Sequence, residues 1–126
     1  MSTIGMLYDD KDEKLVNKLS VHFAPLKRQG HFFVRPRCTE HLRGIDVLIV
    51  LLSPYFLAQQ SLIDMVDAAQ CHYIVPAVLR DIDMRNAPEQ CRHRQALPRN
   101  GKSVSRQDAD YAFSEISREI SRIIER

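Results

Sequence analysis

Val47-Leu48-Ile49-Val50-Leu51-Leu52 is apolar at every position, with no alternation. An unbroken apolar run of strand length predicts a central parallel strand covered on both faces. The run begins at Ile45, and Ser53-Pro54 closes it. Upstream, Ile4 to Tyr8 is short and apolar and ends at Asp9-Asp10, the pattern of a buried strand entering a polar turn. Asp10, Asp12 and Glu13 stand where a helix start favours acids. Leu15, Val16, Leu19, Phe23 and Leu26 then recur at helical spacing. They predict one helix from about Lys14 to Lys27, with Gly30 placed to stop it.

Farther along, His31-Phe32-Phe33-Val34 predicts a second strand, ended by Arg35-Pro36-Arg37. Cys38 to Gly44 is a compact polar stretch. A helical segment covers Tyr55 to Gln70, with a break near Gln59-Gln60-Ser61. Tyr73 to Leu79 predicts another buried strand. Pro76 within it lacks an N–H and implies an edge-facing or bulged position. Arg80 to Asn100 is a long polar connection, and Ser103-Val104 predicts a short last strand. Asp108 or Asp110 caps a final helix whose stripe is Phe113, Ile116, Ile120, Ile123 and Ile124. Strands alternating with helices imply a parallel sheet with right-handed crossovers. The fold class is therefore α/β: a flavodoxin-like open parallel sheet of about five strands with helices on both faces. Ligands of such sheets gather at the carboxyl ends of the strands, which here carry Tyr8, Asp9, Arg35 and Ser53.

Composition narrows the function classes. A chain of 126 residues has room for one domain, 1–126, with one core. A formal net charge of +2 gives no argument for nucleic acid. No apolar run approaches the roughly 18 residues of a membrane span. Met1 to Met6 lacks the basic start and long apolar stretch of a signal peptide. Cys38, Cys71 and Cys91 are odd in number, which argues against a disulfide framework and for a reducing, cytoplasmic setting.

Three Cys-His pairs, Cys38 with His41, Cys71 with His72 and Cys91 with His93, lack the Cys-x2-Cys spacing of structural zinc, so no metal is expected. The isolated glycines exclude a phosphate loop. Arg80, Arg85, Arg92, Arg94, Arg99, Lys102 and Arg106 make the stretch after Leu79 basic. A face for phosphates or an acidic partner is one reading. A solvated loop is the plainer one, because no aromatic residues interleave.

Several blocks together resemble a bacterial TIR (Toll/interleukin-1 receptor-like) domain across nearly the whole chain. Tyr8-Asp9-Asp10-Lys11-Asp12-Glu13 is similar to the family's Tyr-Ser-x-Lys-Asp-Glu box. His22 to Gly30 looks like the end of its first helix. Ile45 to Pro54 with Phe56-Leu57-Ala58 resembles its central strand and exit, and Tyr73 to Arg80 its fourth strand. Gln95 to Val104 and Ala112-Phe113 follow the bacterial pattern. The departures matter as much. The Trp-x-Asp motif, the loop and most of the second helix are missing between Arg35 and Gly44, so that helix is expected to be shortened or absent. Asp9 replaces the box serine. The glutamate that helps hydrolyse NAD in the family falls, by count from Ser53-Pro54, on Val66.

The resemblance thus implies a catalytically degenerate member kept for interaction, in prokaryotic defence or signalling. It would act as a homo-oligomer or dock to another TIR-like or effector protein, with Arg35, Arg37, Tyr55, Phe56 and Arg80 as contact candidates and no cofactor. Two other readings stand beside it. One is an NAD hydrolase in which Asp64 or Asp67 supplies the acid. Helical residues one apart diverge by about 100°, so neither shares the direction of position 66. The other is a nucleotide sensor with NAD as ligand at the strand ends.

Overall fold

The six residues Val47–Leu52 form strand β3 and are all buried. In the computed structural model, which describes residues 1–125, β3 lies between two parallel neighbours, β1 (Thr3–Leu7) and β4 (Tyr73–Val78). A short strand, β2 (Phe32–Val34), pairs with the outer side of β1, giving the order β2-β1-β3-β4. This is the flavodoxin-like open parallel sheet, with four strands rather than five. The unbroken apolar run of β3 splits between two cores. Val47, Ile49 and Leu51 enter one cluster, and Leu48, Val50 and Leu52 the other. Pleating sends alternate side chains to opposite faces, so a strand covered on both needs apolar residues throughout.

The first cluster is closed by helices α1 (Glu13–His22), α2 (Ala24–Arg28) and, after three further short helices, a long C-terminal helix. The single helix expected over this first stretch is broken at Phe23, because Pro25 has no N–H to return to the preceding turn. The apolar stripe survives the break: Val16, Leu19, Phe23 and Leu26 are all buried. Gly30, at φ +95°, ends it. The Gly30 N–H reaches Lys27 O at 3.1 Å and the His31 N–H reaches Leu26 O at 3.2 Å, a Schellman cap.

The second cluster is closed by α3 (Pro54–Leu57), α4 (Gln60–Ala68) and α5 (Glu89–Arg92). The chain breaks between α3 and α4 at Ala58 and Gln59, where the sequence predicted an interruption. The C-terminal helix, α6 (Ala109–Ile124), is capped by Asp108, whose carboxylate accepts the Tyr111 N–H at 3.2 Å. Asp110 instead meets His22 Nε2 at 3.2 Å. Among the described residues no helix is long and apolar enough to cross a membrane.

The predicted last strand at Ser103-Val104 is not formed; Val104–Arg106 is a 3-10 turn. Gln107 folds the backbone back by donating to Lys102 O at 2.8 Å, and the Val104 side chain enters the first core. The fifth position at the sheet edge is held by Leu97 alone, bridging Ala77. Leu97 N–H reaches Pro76 O at 2.9 Å and its carbonyl accepts from Val78 N–H at 2.8 Å. Pairing goes no further: the next N–H in line for β4, that of Arg99, is taken by Glu115 Oε2 at 2.7 Å. Pro76 resolves as edge-facing rather than bulged: β4 keeps continuous register with β3, and Pro76 turns its missing donor outward.

Between β2 and β3 the helical structure among the described residues is a single 3-10 turn, Thr39–Leu42, in keeping with the short connection expected there. Ile45 closes directly onto the sheet at Gly5, where a Cβ would come within 2.8 Å of its Cδ1. Beyond this cover lies a hollow of about 360 Å³ bordered by Leu42, Arg43, Ile45, Ala68 and Gln70.

Candidate functional site

The carboxyl ends of the strands are tied together by two polar clamps. The first joins β1 to β2. Arg35 lies over the Tyr8 ring with its guanidinium carbon 3.8 Å from the centroid. It donates to Tyr8 O at 3.0 Å and to Asp10 Oδ1 at 2.6 Å. The hydrogen bond from Arg35, reinforced by its charge, holds the Asp10 carboxyl below the usual aspartate range.

The second clamp joins the exits of β1, β3 and β4. Asp9 caps a 3-10 turn, Asp10–Asp12, accepting the Lys11 N–H at 2.9 Å. That turn carries Asp12 inward until it is fully buried. Its carboxylate accepts a short hydrogen bond from Ser53 Oγ and another from Arg80 Nε at 2.9 Å. Ser53 in turn accepts the Phe56 N–H at 3.1 Å and so caps α3. A buried carboxylate with both a hydroxyl and a guanidinium partner is satisfied, and among the described residues no buried polar side-chain atom lacks one. Beside this clamp, Lys11 and Arg80 both approach the Tyr55 ring, at 5.3 and 5.8 Å from its centroid.

Between the first clamp and the start of α4 lies an open cleft of about 260 Å³, bordered by Tyr8, Asp9, Asp10, Arg35, Pro36, Arg37, Gln59, Ser61 and Leu62. Tyr8, Asp9 and Arg35 thus converge there as the sequence suggested, joined by Arg37. Ser53 does not; it is fully buried and committed to Asp12 and the α3 cap. Tyr55 and Arg80 form a neighbouring patch with Lys11. Phe56, read from sequence as a contact candidate, is corrected by the structure. It is wholly inside the second core, where no partner reaches it. Asp64 and Asp67 are exposed on α4 and do not border the cleft; Asp64 accepts from Gln60 Nε2 at 2.9 Å. Val66, the counted position of the family glutamate, is 0% exposed in the second core. Where α4 borders the cleft, it offers Ser61 and Leu62, and neither is an acid.

Asp12 is the residue that sequence reading passed over. It was one acid in an acidic run assigned to a helix start, and nothing in the run marks which member turns inward. The available signal lay elsewhere: Ser53 and Arg80 both leave strand ends and both need a buried partner.

The thiols separate by burial. Cys91, on the inner face of α5, is fully buried, and burial pushes its thiol up to about 12. Burial, reinforced by the nearby Asp46 charge, also raises the half-buried Cys71 thiol. Iodoacetamide at pH 8 is expected to label Cys38 and Cys71 first and Cys91 only after unfolding, as read by peptide mass spectrometry. The neutral Cys91 thiol contributes its full stability below the unfolded value of about 8.5 and loses it as pH climbs toward about 12. Cys91→Ala should therefore have a flatter alkaline melting profile than the parent.

Among the described residues no cluster of three or more His, Cys, Asp and Glu side chains could hold a metal ion. No protein-family model matches this chain, and no curated protein matches it.

Proposed function

We propose that this chain is a non-catalytic, TIR-like protein-interaction module of the cytoplasm, serving prokaryotic defence or signalling by self-association or by docking to a similar domain. The observation that carries the reading is the setting of α4. The counted acid position, Val66, is packed in the core, and the turn of α4 that borders the cleft bears no carboxylate. The cleft itself, at about 260 Å³, is smaller than the roughly 300–1,000 Å³ of small-molecule sites. Its best-placed cation, Arg35, is already engaged by Tyr8 and Asp10. Meanwhile the reduced second helix leaves the sheet open beside β2.

Two measurements test this. Purified domain at high concentration is expected to release no nicotinamide from NAD over hours. Sedimentation velocity is expected to show concentration-dependent association, or a complex with a TIR-like protein recovered from the source cells. Steady nicotinamide release would overturn the non-catalytic reading and make Asp64 and Asp67 the first residues to replace. A strictly monomeric profile with no such partner would overturn the module reading.

A further inference from the structure

β2 leaves one edge of the sheet open. Phe32 donates its N–H to Ser2 O at 3.0 Å, on the side toward β1. Alternation along the strand then turns the N–H and C=O of Phe33 outward, as groups that a further strand pairs with. The Phe33 ring itself stacks on Phe23 in the first core, with centroids 4.6 Å apart. Pleating therefore sets Phe32 and Val34 on the opposite face. That is the face whose helix has shrunk to a 3-10 turn, and there Phe32 is 59% and Val34 40% exposed. Open main-chain groups flanked by alternate apolar side chains are the two requirements for strand addition.

Charge decides what kind of strand fits. From Lys27 to Arg43 the chain carries Lys27, Arg28, Arg35, Arg37 and Arg43 against Glu40 alone. Lys27 is occupied by Ser20 and the Phe33 ring, and Arg35 by the first clamp. Arg28 is exposed, with no carboxylate pairing it among the described residues, whereas Arg43 borders the hollow beside Ala68 and Gln70. Arg37 is 63% exposed and only within 3.8 Å of Asp10. Edge-to-edge pairing with a second copy would set these cations against themselves, which is unfavourable across adjacent strands.

We propose that the β2 edge docks an extended acidic segment of a partner protein. Its alternate apolar residues cover Phe32 and Val34, and its carboxylates, turned to the other face and past the strand end, meet Arg28 and Arg37. This deepens the interaction-module reading and rests on it.

The probe is a fluorescein-labelled peptide of alternating glutamate and valine, titrated against the whole domain by anisotropy. Controls are its lysine-valine counterpart and a version with proline at alternate positions. Saturable binding of the acidic peptide alone is expected. It should weaken as salt shortens the screening length from about 10 Å at 0.1 M to about 3 Å at 1 M. Combined Arg28→Glu and Arg37→Glu should cost at least about tenfold in affinity. Phe32→Ser, at an exposed position that leaves the fold intact by thermal melting, should also weaken it. Bound peptide should shift the amide resonances of residues 31–35.

Equal binding of the lysine peptide, no binding, or shifts clustered elsewhere would overturn the proposal. Self-association abolished by Phe32→Ser would also overturn it, by giving the edge to a second copy. Nicotinamide release with peptide binding intact would remove only the non-catalytic reading. No release with no peptide binding would remove only the docking assignment.

Discussion

Asp12→Ala is expected to lower the unfolding free energy by about 3 kcal/mol, at the low end of the range for breaking a buried ion pair. The carboxylate is fully buried, but the Arg80 side chain is 38% exposed and can turn to water, which limits the loss. Ser53 has no such escape, since its hydroxyl would stay buried without an acceptor. Asp12→Asn keeps the shape and an acceptor oxygen and should cost about half as much, on the order of 1–2 kcal/mol. Urea unfolding reads both. A double-mutant cycle with Arg80→Ala should give a coupling of about 0.5–3 kcal/mol. Hydrogen exchange should accelerate at the exits of β1, β3 and β4 together, because one side chain ties all three. A loss below about 0.5 kcal/mol for Asp12→Ala would mean that the clamp is ornamental.

The parts of the fold legible from sequence are those where one physical cause dominates. β3 announces itself because burial on both faces permits no polar position. The stripes of α1, α2 and α6 are legible because a helix against a core repeats its apolar positions. Pro76 narrows from sequence to an edge-facing or bulged position, since a residue without an N–H cannot donate to the ladder, and the continuous β3–β4 register selects the first.

The misses share a different cause. Ser103-Val104 has the look of a strand, yet side-chain hydrogen bonds from Gln107 curl it, and Glu115, by taking the Arg99 N–H, confines edge pairing to Leu97. Those contacts join residues whose proximity no local pattern reveals. Phe56 and Asp12 fail likewise: an aromatic in a strand exit and an acid in an acidic run can each turn in or out. Ser53, which caps α3 and meets Asp12 in the same place, decides both.

Val66→Glu is expected to unfold the domain rather than arm it. The position is 0% exposed, among Leu7, Leu48, Val50 and Phe56 in the second core. An unpaired carboxylate there must be buried charged, take up a proton or force the core open, and each course costs several kcal/mol. A loss above about 4 kcal/mol removes most of the stability of a domain at the low end of the usual range of about 5–15 kcal/mol. Loss of the cooperative thermal transition is the expected readout. Leu62→Glu makes the sharper comparison. Leu62 is one turn earlier on α4, half-buried and at the border of the cleft, so the new carboxylate reaches water beside Arg37. Its cost should stay near 1 kcal/mol. If an acid on α4 is all that the cleft lacks, nicotinamide release appears in Leu62→Glu and not in Val66→Glu. Release from a folded Val66→Glu variant would require α4 to turn its core face toward the cleft. That result would overturn the placement of Val66 and, with it, the main ground for reading the domain as non-catalytic.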